Sequence, residues 1–520
     1  MNLKSISKEK LLYTSVVLLI MLQPIIDMDY LIYPYLDKFG LPRFSTIIRF
    51  IIVPLMIIFC FFLKEKNKKK TFIIGALYGV VMLVYFYLHS KQAVRIYPIL
   101  DLTTNFKFNL FQELTYLLTL LLPYGLIYVI YNLKLDEKSI KLITVVSSAT
   151  ISIPIFLGDL FVFGKSTYFG YTYANFFSWF TGIYETVHPR ELTSKFFFNE
   201  GNTIGILMFM ILPLMFYFFT KETDKKKKIY MGILIFIQCL SMQILGTRVA
   251  TFGAVIIPFV YLVLYVFDSF IMKNQKANLS IMAFMIVCTA VFGVILNFTP
   301  AVENQRVDAV NDLALLSNGA AEQGRDALKD APLIPGTREF NDFYIFMFEQ
   351  YGIRAKYASS IPTMYYVDWY NYKFDPKFWV DVIFLPVYDR VGGRKIQKLF
   401  TDYKWDKLSQ SEKVLGMGYS TFMNGSIVLE KDFVQQKYTL GYIGMILTCT
   451  PWLLAVLYVG LKVLRKFKKH MNLENMTYAM SLAAALGSAY ISGHTLDQFV
   501  TTMFMALLAA LLLNRVNAND

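Results

Sequence analysis

Runs of about twenty apolar residues recur along this chain, and no other feature restricts its fold as tightly. A hydrocarbon core of roughly 30 Å is crossed by about 20 residues of helix. Inside it every peptide group must find its partner within the protein, so only helices or closed barrels cross. The runs are too long for barrel strands, and twelve helical spans are predicted near residues 11–28, 44–63, 71–88, 114–131, 142–162, 202–219, 229–245, 250–270, 279–297, 438–461, 475–492 and 496–514. With 56% hydrophobic and only 17% charged residues, the chain departs from soluble usage in the same direction. The expected class is an all-α polytopic membrane protein.

The net charge of +14 is concentrated in KEKNKKK (64–70), KETDKKKK (221–228), MKNQK (272–276) and LRKFKKH (464–470). Each follows an even-numbered span, and lysine-rich short loops face the cytoplasm. Both termini are therefore expected inside a plasma membrane, with every odd-to-even connection extracytoplasmic. The charge reports topology, so no nucleic-acid partner is expected. The basic start, Met1 to Lys10, lacks a small-residue cleavage site and is read as the lead-in to span one. Cys60, Cys239, Cys288 and Cys449 fall inside predicted spans without CxxC spacing, and read as small core residues.

One outer connection stands apart. From Thr299 to Lys437 about one residue in four is charged and no stretch is long enough to span. The expected organisation is a membrane domain of spans one to nine (1–297), a loop domain (298–437) and a membrane domain of spans ten to twelve (438–520). Residues 304–328 have helical spacing of apolar positions, and TMYYVDWYNYKFDPKFW (363–379) is dense in aromatics. That run either packs into a small core or stacks on sugars. A second outer segment, 163–201, carries GYTYANFFSWF and HPRELTSKFFFNEGN.

Ionisable groups at span ends are the candidates for chemistry. A charge in hydrocarbon costs up to roughly 2.5–3.5 kcal/mol on insertion scales, and is kept where it has a partner or a task. Arg248, in ILGTRVATFGAVI, sits at the predicted outer junction of spans seven and eight; Arg49 lies just inside span two; Arg95 and Arg190 stand in outer loops. Snorkelling to lipid phosphate is the plain alternative. A guanidinium never deprotonates and offers planar, paired donors to phosphate oxygens, so several converging at one depth suit a lipid-linked diphosphate.

Asn199, Glu200 and Asn202 open span six, as helix caps or as ligand contacts. His494, in ISGHTLDQF, occupies a tight outer turn; it serves the turn itself or takes a proton from an alcohol near neutral pH. Glu430 and Asp432 precede span ten, as candidate bases or solvated charge. Gly392, Gly393, Gly416 and Gly418 permit backbone turns closed to other residues. No Walker-type phosphate loop, HExxH or Cys/His cluster occurs, so neither metal nor cofactor is expected.

Taken in order, the Asn/Glu entry to span six (Phe198 to Asn202), TR-x-A around Arg248, GR at Arg394, G-x-G at Gly416 and Gly418, and G-x-x-G at Gly441 and Gly444 form a series. The series resembles the O-antigen ligase and polymerase superfamily over roughly residues 195–450. Ligases of that family resemble one another in a histidine about eleven residues before the last G-x-x-G; this chain has LEKD there instead. The lysine- and tyrosine-rich sequence is most similar to Gram-positive members that attach teichoic chains to a glycolipid.

The resemblance implies a GT-C-type architecture and a metal-independent, inverting membrane glycosyltransferase at the outer face. Its donor would be an undecaprenyl-diphosphate-linked glycan or teichoic chain, its acceptor a membrane glycolipid hydroxyl, and membrane lipids its surroundings. In this expectation Arg248, Arg49 and Arg394 hold the diphosphate, Glu430, Asp432 or His494 takes the hydroxyl proton, and Glu200, Asn202, Arg190 and Arg95 line the substrate site. A polymerase joining lipid-linked repeat units, a flippase for such lipids, and a membrane sensor are the alternatives.

Overall fold

A computed structural model describes residues 7–39, 41, 43–307, 337–350, 364–383, 385 and 393–518. Twelve long helices are named here in chain order: α1 (Lys8–Ile26), α2 (Phe44–Lys64), α3 (Lys68–Leu100), α4 (Leu110–Leu133), α5 (Glu137–Leu160), α6 (Gly201–Lys221), α7 (Lys225–Leu245), α8 (Arg248–Val266), α9 (Leu279–Leu296), α10 (Asp432–Arg465), α11 (Leu473–Ile491) and α12 (Phe499–Ala518). Eleven are long and apolar enough to cross a membrane; α11, of 19 residues, is more polar and lies outside that set. Among the described residues there is no strand, only an isolated bridge between Lys165 and Tyr171. The chain is an all-α polytopic membrane protein.

Two helices outrun their expected lengths. α3 continues to Leu100, so Arg95 lies on a helix, not in a loop. Nothing in the 89–100 stretch breaks a helix before Pro98, and polar residues extend it beyond its apolar core. α10 begins at Asp432 and is interrupted at Gly441, whose backbone is not helical. Of the helical spacing expected over 304–328, only the part to residue 307 lies within the described residues.

The described chain divides into two compact units. The first comprises Met1–Leu77, Leu118–Asn304 and Cys449–Asp520. Its centre is α6, which packs against α5, α7, α8, α11 and α12. A helix apolar on every side has no face to give to water or headgroups and goes to the middle of a bundle; 89% of the membrane-length stretch of α6 is buried. Small residues let its neighbours close in: the Cβ position of Gly205 lies 2.7 Å from Thr247 Oγ1, and that of Gly253 on α8 lies 2.6 Å from the Phe209 ring. Side-chain amides and hydroxyls tie helices together where water is excluded, as Ser148 donates to Gln238 (2.7 Å), Gln238 to the Met208 carbonyl (2.9 Å) and Ser241 to the Ser152 carbonyl (2.8 Å). The lysine-rich loops 64–70, 221–228, 272–276 and 464–470 gather at one end of the helices. The segments 27–43, 161–200, 246–247 and 492–498 form the other.

The second unit comprises Tyr78–Leu117 and Gln305–Thr448. Its core is aromatic: Phe106, Tyr370, Phe378, Trp379, Phe400 and Phe422 are each 5% exposed or less. The 363–379 run therefore supplies packing, and Trp379 donates its indole N–H to the Tyr370 carbonyl at 2.6 Å. The glycine series makes a backbone crossing here. Met417 N–H donates to the Tyr438 carbonyl (3.0 Å) and Gly418 N–H to that of Thr439 (2.9 Å), with Gly416 at φ +83° and Gly441 at φ +71°. A Cβ on Gly416 would lie 2.3 Å from Gly441 N. Two strands of backbone that close leave room for no side chain.

Candidate functional site

The end of the first unit opposite the lysine-rich loops collects most of its buried and half-buried charge. α6 starts there because Gly201 and Asn202 follow a residue in extended conformation, Glu200, whose side chain makes no capping bond to the helix. Its carboxylate instead accepts from Thr203 Oγ1 at 3.2 Å. Burial pushes the Glu200 carboxyl above its ordinary range; the charge of His494 opposes this, while the carboxylates of Asp497 and Asp27 add to it. These three groups thus lie within electrostatic reach of Glu200. Lys195 is nearby: burial pulls its amine down, Glu200 opposes the fall, and Lys165 adds to it. Asn202 is half-buried in the first turn of α6.

His494 is placed by the turn that ends α11. Gly493 and His494 both take left-handed backbone, at φ +70° and +57°, and fold the chain back within a few residues. Asp497 Oδ2 lies 3.3 Å from His494 Nδ1. A carboxylate accepts there, so Nδ1 carries the hydrogen of this contact. The other Asp497 oxygen, Oδ1, is buried without a hydrogen-bond partner.

Arg49 does not stand free. Its Nη2 pairs with Asp27 Oδ1 at 2.8 Å and its Nε donates to Gln23 Oε1 at 3.1 Å. Its guanidinium also covers the Phe499 ring at 5.3 Å, which joins α2 to the first residue of α12. Arg43 is likewise matched, by Asp29 at 2.6 Å and Asp27 at 3.1 Å. Arg190 donates to Asn304 Oδ1 at 3.0 Å and lies over the rings of Tyr168 and Phe169.

Arg248 is different. It opens α8 after a connection of two residues, Gly246 and Thr247, and it is exposed, with no side-chain partner among the described residues. Gly246 turns the chain at φ +70°. The 164–194 segment holds the turn in place: Thr167 Oγ1 donates to the Leu245 carbonyl (2.6 Å), Tyr168 O–H to that of Gly246 (3.2 Å) and Ser194 N–H to that of Ile244 (3.0 Å). Thr247 makes no side-chain cap. The first N–H groups of α8 thus remain available at the residue that carries the unmatched guanidinium, and orphan N–H groups with the helix dipole favour an anion.

The remaining candidates belong to the second unit. Arg394 and Glu430 are each other's ion-pair partners. Asp432 is buried in the first turn of α10. Arg95 is mostly exposed and reaches Glu412 at 3.3 Å.

Sequence reading missed a buried histidine–carboxylate pair in this unit. His89 Nε2 lies 2.8 Å from Glu113 Oε1, and its Nδ1 lies 2.6 Å from the Leu415 carbonyl. Glu113 also accepts from the N–H groups of Tyr419 (2.9 Å) and Ser420 (2.7 Å). Each residue borders a predicted span, His89 just after residue 88 and Glu113 just before residue 114, where an ionisable group is the available signal. Asp27 and Asp29 carried the same signal at the end of span one. Among the described residues, no three His, Cys, Asp or Glu side chains converge to hold a metal ion.

A protein-family model described as O-antigen ligase like membrane protein matches residues 8–519. No curated protein and no solved structure matches the chain.

Proposed function

Because this chain belongs to the O-antigen ligase-like membrane proteins, a family of lipid-linked glycan ligases and polymerases, we propose that it transfers a glycan or teichoic chain from an undecaprenyl-diphosphate carrier to a hydroxyl of a membrane glycolipid. The reaction takes place at the end of the first unit opposite the lysine-rich loops. By the positive-inside rule that end is extracytoplasmic and both termini are cytoplasmic.

The observation that carries this reading is Arg248, an exposed guanidinium without a partner among the described residues, on the uncapped first turn of α8. Of the arginines at this end, Arg43, Arg49 and Arg190 already have partners. The diphosphate therefore falls to Arg248 and the α8 N–H groups, while Arg49 packs on Phe499, the residue that follows the turn bearing His494. In the second unit, Arg394 and Glu430 neutralise each other, which takes both out of the first rank for their expected roles.

The acceptor hydroxyl attacks the anomeric carbon of the donor. A glycosidic C–O bond forms as the bond to the diphosphate oxygen breaks, and the hydroxyl proton goes to His494 Nε2. Asp497 fixes the tautomer from the other side of the ring. A single displacement inverts configuration at that carbon. Charge collects on the departing diphosphate, where Arg248 and the helix N-terminus meet it without reorganising. In this reading Glu200 and Asn202, at the start of α6, meet the acceptor.

Purified protein in lipid, given polyprenyl-diphosphate glycan and glycolipid, tests the reading. Arg248→Ala abolishes transfer and Arg248→Lys restores little of it, since a point charge does not replace a planar fork. Full activity in both variants refutes the role. Product mass separates the neighbouring reactions: one shift of the glycolipid marks a ligase, a ladder on the carrier a polymerase, and movement without covalent change a flippase.

A further inference from the structure

The two aromatic-rich segments have opposite fates. In the second unit most rings of the 364–379 run are buried, with Phe374 exposed at 44%, while in the first unit the rings of the 168–173 turn stand out: Tyr171 is 72% exposed and Tyr173 61%, with Phe169 and Tyr168 at 49% and 44%. The turn is built, not frayed. Lys165 and Tyr171 bridge, Ser166 N–H donates to the Gly170 carbonyl at 3.1 Å, Thr172 N–H to that of Gly164 at 3.1 Å, and Tyr173 N–H to that of Glu191 at 2.9 Å. Tyr168 and its neighbour Thr167 are the same residues that hold the Leu245–Gly246 backbone, two positions before Arg248.

We propose that Tyr171 and Tyr173, beside Phe169, form a stacking shelf for the pyranose ring next to the diphosphate. The inference rests on the diphosphate reading of Arg248 and deepens it by naming what binds beside that group. Three observations select a sugar over an acyl chain. The turn that carries the shelf is hydrogen-bonded through Thr167 and Tyr168 to the turn that bears Arg248. The two most exposed rings carry hydroxyls, which serve a ligand that is apolar on its face and polar at its rim. Arg190 spans Tyr168 and Phe169 at 5.5 and 5.9 Å, which stiffens the shelf and places a cation beside it.

The test measures binding of two probes to the full-length protein in nanodiscs: a short-chain prenyl diphosphate, and the same lipid bearing one pyranose. The variant is Tyr171→Ala/Tyr173→Ala, which leaves the backbone bonds of the turn intact; circular dichroism and melting confirm its fold. Wild type prefers the sugar-bearing probe by about ten-fold, an amount that two stacked rings account for. The double variant loses that preference and keeps its affinity for the bare probe, whereas Arg248→Ala loses both. An equal loss for both probes assigns the shelf to the lipid and overturns the proposal, as does an unchanged preference. If neither probe binds wild type, the diphosphate reading fails and the shelf fails with it, which is a distinct result.

Discussion

Replacing Lys404 with methionine should flatten the pH dependence of unfolding. The Lys404 side chain is fully buried in the second unit. Its Nζ donates to the Tyr370 hydroxyl oxygen at 2.7 Å and the Asp101 carbonyl at 2.8 Å. The rings of Tyr370, Tyr403 and Phe400 lie 4.5, 5.2 and 5.4 Å from it. Burial pulls the amine from 10.5 down to about 7, with Lys407 adding to the fall and Asp375 and Asp101 opposing it. Between those values the unfolded chain binds more protons than the folded one, so stability rises with pH across the window. From pH 7 to 9 the gain works out at about 2 kcal/mol. At roughly 2–4 °C per kcal/mol for a unit of this size, the midpoint climbs about 4–8 °C. Emission from Trp379 and Trp405, both buried in this unit, reports the transition. Methionine keeps the length of the side chain and removes the titrating group. Lys404→Met should therefore lose the rise, and an identical rise in variant and wild type would refute the assignment.

Gly416→Ala sets a Cβ within 2.3 Å of Gly441 N and 2.4 Å of the Thr439 carbonyl, at φ +83°; neither neighbour is a side chain that can swing away, so stability falls by at least about 2 kcal/mol in denaturant titrations. Glu113→Gln leaves His89 facing an amide in a buried site and costs about 3–5 kcal/mol by the same measurement. Asp497→Asn loosens the tautomer and orientation of His494, and His494→Gln removes the base; each lowers the transfer rate by roughly 10²–10⁴-fold while KM for the donor holds. A rise in KM with an unchanged rate would instead place His494 in substrate binding.

What the linear chain determined is what depends on local composition. The length of an apolar run is set by neighbours in sequence, and membrane crossing asks only for that length, so the positions of the long helices could be read directly. The two-residue junction before Arg248 and the sharp turn at His494 were equally legible, since glycine and short polar connections announce themselves. Which charges are spent on one another was not. Arg49 and Asp27 stand 22 positions apart, His89 and Glu113 24, and Arg394 and Glu430 36. Each pairing exists because packing brings separate segments within about 3–4 Å, a distance at which desolvated charges must find each other. The same packing buried most rings of one aromatic segment and left Tyr171 and Tyr173 of the other outside, although both are rich in tyrosine and phenylalanine. Composition declares that an arginine or a ring is present; only the folded arrangement decides whether a neighbour already occupies it, and among the arginines described at the end opposite the lysine-rich loops it left Arg248 with a free fork.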